Sequence, residues 1–301
     1  MALTREMIDA QVKDIRVNWF AADTKRDEGL TTPAEIKRYD NISYGPFGEA
    51  NLCDIYVQKN VTAPQATIVN VHGGGWVYGC KEIYQHYCMQ LAMRGFTVVN
   101  INYRLAPENL FPAAVEDINA AMTFLAAEGE KYMADAKRLV MVGDSAGGQL
   151  VSHYATIATN PAFAALFDFR VPDIRICALG LNCGAYDGKA MALSENDGLF
   201  RAYLDGVEKE VDPETVERVD AMKYMTGAFP PSYIMSAVND FLVTGVAPMY
   251  DFLTNLGVTC EKKIYGSADR EDIAHVFHVN CKLEEAKRCN DDECAFFRKF
   301  V

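Results

Sequence analysis

The chain has 301 residues, half of them hydrophobic, and a formal net charge of −12. No Pro/Gly/Ser-rich linker, low-complexity tract or internal repeat divides it, so residues 1–301 are expected to form one large α/β domain with insertions. The negative field repels nucleic acid and anionic membrane surfaces, which argues against both as partners.

The amino terminus, Met1 to Asp9, carries charges where a secretory leader needs an apolar stretch. No run is long and apolar enough to span a bilayer, and a cytoplasmic location is expected. The nine cysteines form no Cys-x-x-Cys pair, so a zinc site has no spacing to rest on. Reduced thiols are the expectation. In the first segment, Ile8, Val12, Ile15 and Trp19 recur at spacings of four, three and four, which places them on one face of an amphipathic helix.

Strand candidates follow at Glu35 to Tyr44, Asn51 to Val57 and Thr67 to Val71. Directly after the third comes His72-Gly73-Gly74-Gly75-Trp76. Successive glycines after a strand can turn their amide hydrogens toward one point, because no side chain blocks the approach. A phosphate-binding loop would need a Gly-Lys-Ser/Thr ending, which Gly75-Trp76-Val77 lacks. An oxyanion-binding loop is the better reading.

Helical patterns at Tyr84 to Arg94, Ala113 to Glu128, Gly147 to Thr159 and Val246 to Asn255 alternate with the next strand candidates. Those strands run over Thr97 to Asn102, Arg138 to Val142, Ile174 to Leu181, Ser232 to Val238 and Val258 to Tyr265. The middle strands are nearly continuous apolar runs, as parallel strands buried on both faces should be. The pattern predicts two antiparallel strands at the start and six parallel ones after. Between Tyr186 and about Ala228 short helical pieces break the alternation. Asp212-Pro213-Glu214 there has the form of an N-cap and first turn.

Gly143-Asp144-Ser145-Ala146-Gly147-Gly148 lies between the fifth strand and the following helix. A Gly-x-Ser-x-Gly turn between strand and helix forces the serine into strained backbone angles and exposes its hydroxyl at the sheet edge. Together, His72 to Trp76, Tyr103-Arg104-Leu105-Ala106-Pro107-Glu108 and Gly143 to Gly148 resemble the signature set of the hormone-sensitive-lipase-like esterases. That resemblance implies an α/β-hydrolase fold: a mostly parallel eight-stranded sheet with helices on both faces and a helical lid. It implies a small-molecule ester substrate and neither metal nor cofactor. It places the lid in about residues 1–38 and 186–228, so that Trp19 and Phe20 either line an acyl pocket or belong to a helix docked on the body. It also implies Gly74 and Gly75, with Ala146, as the oxyanion donors.

In this fold the triad runs Ser, then Asp/Glu, then His. Of five histidines, His72 and His86 precede Ser145, and His153 sits in the helix after it. His275 and His278 come late enough. His275-Val276-Phe277 resembles the family's His-x-Phe context, which favours His275 as base, with His278 the alternative. The acid is Asp240, in the loop after the strand from Ser232 to Val238. Where the family has Asp-Pro-Leu, this chain has Asp240-Phe241-Leu242. Asp144 is expected to be a structural partner within the elbow. Arg104 and Glu108 are expected to tie down their own loop. Trp76 and Phe200 are the candidate substrate contacts, and the aromatic content of the lid segments (Trp19, Phe20, Phe200, Tyr203) predicts an apolar pocket wall suited to short acyl chains. Three activities share these residues: a carboxylesterase, an amidase, formamidase or peptidase, and a non-catalytic small-molecule receptor.

Overall fold

A computed structural model describes residues 4–194 and 197–301. Eight strands form one sheet in the order β1-β2-β4-β3-β5-β6-β7-β8. The strands are β1 (Ile36–Ser43), β2 (Leu52–Gln58), β3 (Gln65–Val71), β4 (Thr97–Ile101), β5 (Ala134–Asp144), β6 (Ile176–Asn182), β7 (Ser232–Ala237) and β8 (Cys260–Tyr265). β2 pairs antiparallel with both β1 and β4, and every later pairing is parallel. The expected antiparallel pair is therefore present, but β2 is the one strand that opposes the rest. Every residue of β4 is buried, and so is nearly all of β3, which accounts for their nearly continuous apolar sequence, broken by Thr67 and Asn70 in β3 and by Thr97 and Asn100 in β4. β5 starts four residues earlier than its apolar core because a register shift after Ala66 lets polar Asp135 pair before Leu139 takes over.

The helices are α1 (Arg5–Asp27), α2 (Gln85–Met93), α3 (Ala113–Glu128), α4 (Ala146–Thr159), α5 (Pro161–Ala164), α6 (Gly188–Leu193), α7 (Gly198–Tyr203), α8 (Pro213–Val219), α9 (Val246–Asn255) and α10 (Glu284–Phe297). In α1 the Thr4 hydroxyl caps the first turn by accepting from the Met7 amide, and Ile8, Val12 and Ile15 are buried on one face. Trp19 stays partly exposed and meets Tyr78 edge-on at 5.6 Å between centroids. Arg16 pins the helix down. It donates to the Val77 carbonyl at 2.8 Å, to the Ala106 carbonyl at 2.9 Å and to Glu108 at 2.7 Å. Glu108 thus holds a helix 92 residues away, where a local contact was expected. Arg104 does act locally, on Asp117 and Glu116. Among the described residues no helix is long and apolar enough to cross a membrane.

The carboxyl ends of β3, β5, β6, β7 and β8 share one edge of the sheet, where open α/β folds place their ligands. One brace behind that edge has a pH signature. Glu293 of α10 is fully buried, and its Oε1 accepts from Asn182 Nδ2 at 2.8 Å. Burial raises its carboxyl to about 7, against the partial relief of that bond. The unfolded chain releases this proton near the ordinary value while the fold retains it, so stability falls as pH rises from about 4.5 to 7. Glu293→Gln should therefore shrink the loss of Tm between pH 5 and pH 8 in thermal unfolding, with about 3 kcal/mol as the ceiling on the effect. An unchanged pH dependence would contradict this.

Candidate active site

Ser145 sits between β5 and α4 with φ 53° and ψ −120°, the strained geometry expected of an elbow. Its amide donates to the Asn182 carbonyl at 2.9 Å, which fixes the turn to the end of β6. The turn tolerates no side chain at Gly147, where a Cβ would strike the carbonyl oxygens of Val71 and His72. The elbow and the glycine loop are pressed together at this point. Gly147→Ala is expected to force them apart, lowering stability by about 1–3 kcal/mol and kcat by at least tenfold. Thermal unfolding and ester turnover check both, and a variant with wild-type values in each would contradict it.

The glycine loop is folded back on itself, with the Gly74 carbonyl accepting from the Val77 and Tyr78 amides. Gly74 has φ +120°, and a Cβ there would run into the Tyr78 carbonyl. The Gly73 amide donates to the Tyr84 hydroxyl at 3.2 Å, and that hydroxyl donates to Asp144 Oδ2 at 2.7 Å. Asp144 thus links loop and elbow, the structural role expected of it. Burial raises its carboxyl to about 6. His72 backs the loop, stacked on Tyr103 at 4.2 Å, and burial lowers its imidazole to about 4, which keeps it neutral.

Asp240 follows β7 and is buried, and His275 follows β8. His275 Nδ1 lies 2.8 Å from Asp240 Oδ1, which also accepts from the Leu242 amide at 2.8 Å. Oδ2 accepts from Ser236 Oγ at 2.6 Å. Burial alone would raise the Asp240 carboxyl, but the bond and charge of His275, with Ser236 and Leu242, outweigh it and hold the group below its ordinary value. Phe241 tilts over the His275 imidazole at 4.3 Å between centroids and is 73% exposed. Where the family's proline would stiffen the loop, this chain places an aromatic ring against the His275 imidazole. His278 is fully buried, edge-on to Tyr87, and burial lowers its imidazole to about 3. His153 is likewise buried on α4, beside Gln149.

Ser145 and His275 open into one cavity of about 550 Å³, which Gly74, Gly75, Trp76 and Ala146 also line. The volume suits a small ligand. The walls are mainly apolar, as expected, but three of the four aromatic residues expected to form them do not line the cavity. Trp19 lines the cavity, but Phe20 points to solvent because one helical residue turns it about 100° away. From α7 the wall residue is Leu199. Phe200 and Tyr203 are buried against the Trp76 ring at 4.6 and 5.9 Å, so Phe200 backs a tryptophan that lines the cavity without reaching the cavity itself. α1 also contributes the ion pair of Asp23 and Arg26, at 2.7 Å, with Asp23 accepting from the Tyr78 hydroxyl at 2.6 Å. One end of the cavity is therefore polar. Tyr84 carried no sequence signal because it acts on Asp144, 60 residues away, while Ser236 and this ion pair make contacts within four residues that only the assembled fold turns toward the site.

A family model described as BD-FAE matches residues 53–246. The chain is similar to the probable carboxylic ester hydrolase LipM of Mycobacterium tuberculosis, 30% identical over 213 residues, 67% of this chain and 48% of LipM. Esterase LipC of the same organism is 25% identical over 238 residues, 76% of this chain and 58% of LipC. The chain thus spans about half the length of these curated relatives. Among solved structures, esterase B of Lactobacillus rhamnosis superposes with a TM-score of 0.86 at 24% identity, over 98% of this chain and 95% of that one.

Proposed function

Because the chain belongs to the BD-FAE family, among the hormone-sensitive-lipase-like esterases of the α/β-hydrolase fold, we propose that it hydrolyses carboxylic esters with Ser145 as nucleophile. The observation that carries this reading is Ser145 on a strained elbow in the same cavity as His275, whose other ring nitrogen is held by a buried carboxylate. Ser145 Oγ attacks the ester carbonyl carbon and its proton passes to His275 Nε2. Asp240 keeps the imidazole proton on Nδ1 and stabilises the imidazolium that forms. The carbonyl electrons move onto oxygen, where the amides of Gly74, Gly75 and Ala146 receive them. Gly73 is occupied by Tyr84, and Gly74 and Gly75 both face the cavity. Each such donor contributes on the order of 3–4 kcal/mol to the transition state. Collapse expels the alcohol, which takes the proton from His275. Water then repeats the sequence on the acyl-enzyme and frees the acid and Ser145.

The whole chain acts in this reading as one catalytic domain. α1 and the segment 186–228 roof its site, since Trp19 and Leu199 come from those two stretches. A roofed cavity of this size favours short acyl groups, acetyl to roughly hexanoyl. Each added methylene stabilises binding by about 0.8 kcal/mol until the pocket fills, so kcat/KM should climb and then fall along an acyl ladder of p-nitrophenyl esters. A matched anilide should turn over far more slowly, because nothing in the site is aimed at a leaving amine. A maximum at long-chain lipids would contradict the roofed pocket. Anilide turnover above ester turnover would favour the amidase, and no turnover with tight ligand binding would favour the receptor.

A further inference from the structure

The ends of β6, β7 and β8 bring a third kind of side chain to the Asp240–His275 pair. One ligand atom each from Cys183, Asp240 and His275 lies within 4.8 Å of the others. Cys183 has no part in ester hydrolysis as proposed above. It follows β6 directly, is fully buried and has φ 48°. Its sulfur lies within 4.8 Å of both an Asp240 carboxylate oxygen and a His275 ring nitrogen. The sulfur is thus aimed at the carboxylate that His275 Nδ1 also faces.

Sulfur, imidazole nitrogen and carboxylate oxygen form the mixed donor set that zinc takes. Tetrahedral bonds of about 2.0–2.3 Å set ligand atoms roughly 3.3–3.8 Å apart, so the sulfur must draw in by on the order of 1 Å while the His275–Asp240 pair, hydrogen-bonded at 2.8 Å, opens by about 0.5–1 Å to admit a cation. We propose that Cys183, Asp240 and His275 form an inhibitory binding site for a thiophilic divalent cation, with zinc the fitting ion. The charge count supports it. With Asp240 ionised and the thiol and imidazole neutral, the group carries −1. On binding, the thiol loses its proton to solvent, the imidazole proton moves from Nδ1 to Nε2, and the cation adds +2, leaving the buried group neutral. With Nδ1 on the metal and a proton on Nε2, His275 can no longer accept the Ser145 proton. The cation enters from the cavity side, where the His275 side chain is 23% exposed.

The inhibition follows only if the triad reading above holds, so the test has two arms. In the first, zinc is titrated against ester turnover for the wild type, Cys183→Ser, Cys183→Ala and a control, Cys260→Ser, each scaled to its own zinc-free rate. Wild type and control should be inhibited and restored by EDTA, while the midpoint rises on the order of 100-fold in both Cys183 variants. In the second, cobalt(II) is added and the near-ultraviolet sulfur-to-cobalt absorbance is recorded. A band in the wild type and control that is lost in both Cys183 variants supports the site, whether or not any ester is hydrolysed. Equal zinc sensitivity in all four proteins, or a cobalt band that survives both Cys183 substitutions or is absent from the wild type, overturns it.

Discussion

Ser145→Ala is expected to lower kcat for p-nitrophenyl acetate by about 10⁴–10⁶-fold while leaving the circular dichroism spectrum unchanged. The loss should be large because the hydroxyl is the atom that forms the covalent bond. What remains is the catalysis that the oxyanion donors supply to a water. The fold should persist because the strain at φ 53° belongs to the backbone, which alanine inherits, and the fixing bond from the Ser145 amide to Asn182 is kept. A folded variant with turnover within tenfold of the wild type would remove Ser145 from the chemistry.

The second large effect separates two histidines three residues apart. His275→Ala should lower kcat by about 10⁴–10⁶-fold, and Asp240→Asn by about 10⁴-fold, because the base and the carboxylate that orients it act as a unit. His278→Ala should change kcat by less than about tenfold and instead lower stability by about 2 kcal/mol, since it empties a buried site beside Tyr87. Steady-state kinetics and thermal unfolding on the same preparations separate these outcomes. Loss of turnover in His278→Ala with turnover kept in His275→Ala would transfer the role of base.

The order of elements was legible in the sequence because the physics is local. Buried parallel strands such as β3 and β4 read as nearly continuous apolar runs, and α3 and α9 have the bounds their patterns set. The elbow and the glycine loop were legible because their geometry excludes side chains, as the close approach at Gly147 makes plain. Chain order in the fold pointed to Asp240 and left His275 and His278 as bases, the resemblance to the family's His-x-Phe context favoured His275, and the structure brings Asp240 and His275 into hydrogen-bond contact. The cavity wall was legible only in part, in its apolar character and in Trp19 and Trp76. Aromatic content names residues that pack, but helical phase decides that Trp19 and Leu199 face the cavity while Phe20 faces water and Phe200 lies behind Trp76. Contacts set by the sheet order were equally hidden. Nothing near Glu108 points to Arg16 until α1 docks beside the segment after β4, and nothing near Cys183 points to Asp240 until β6 and β7 lie side by side.

The nucleophilic role of Ser145 is tested most directly by trapping the enzyme with a p-nitrophenyl alkylphosphonate and weighing the intact chain. The account predicts one phosphonyl adduct per chain, located by peptide mapping on Ser145, formed in step with the loss of activity and absent from Ser145→Ala. Inactivation with the adduct on another residue, or full activity in a chain labelled at Ser145, would contradict it.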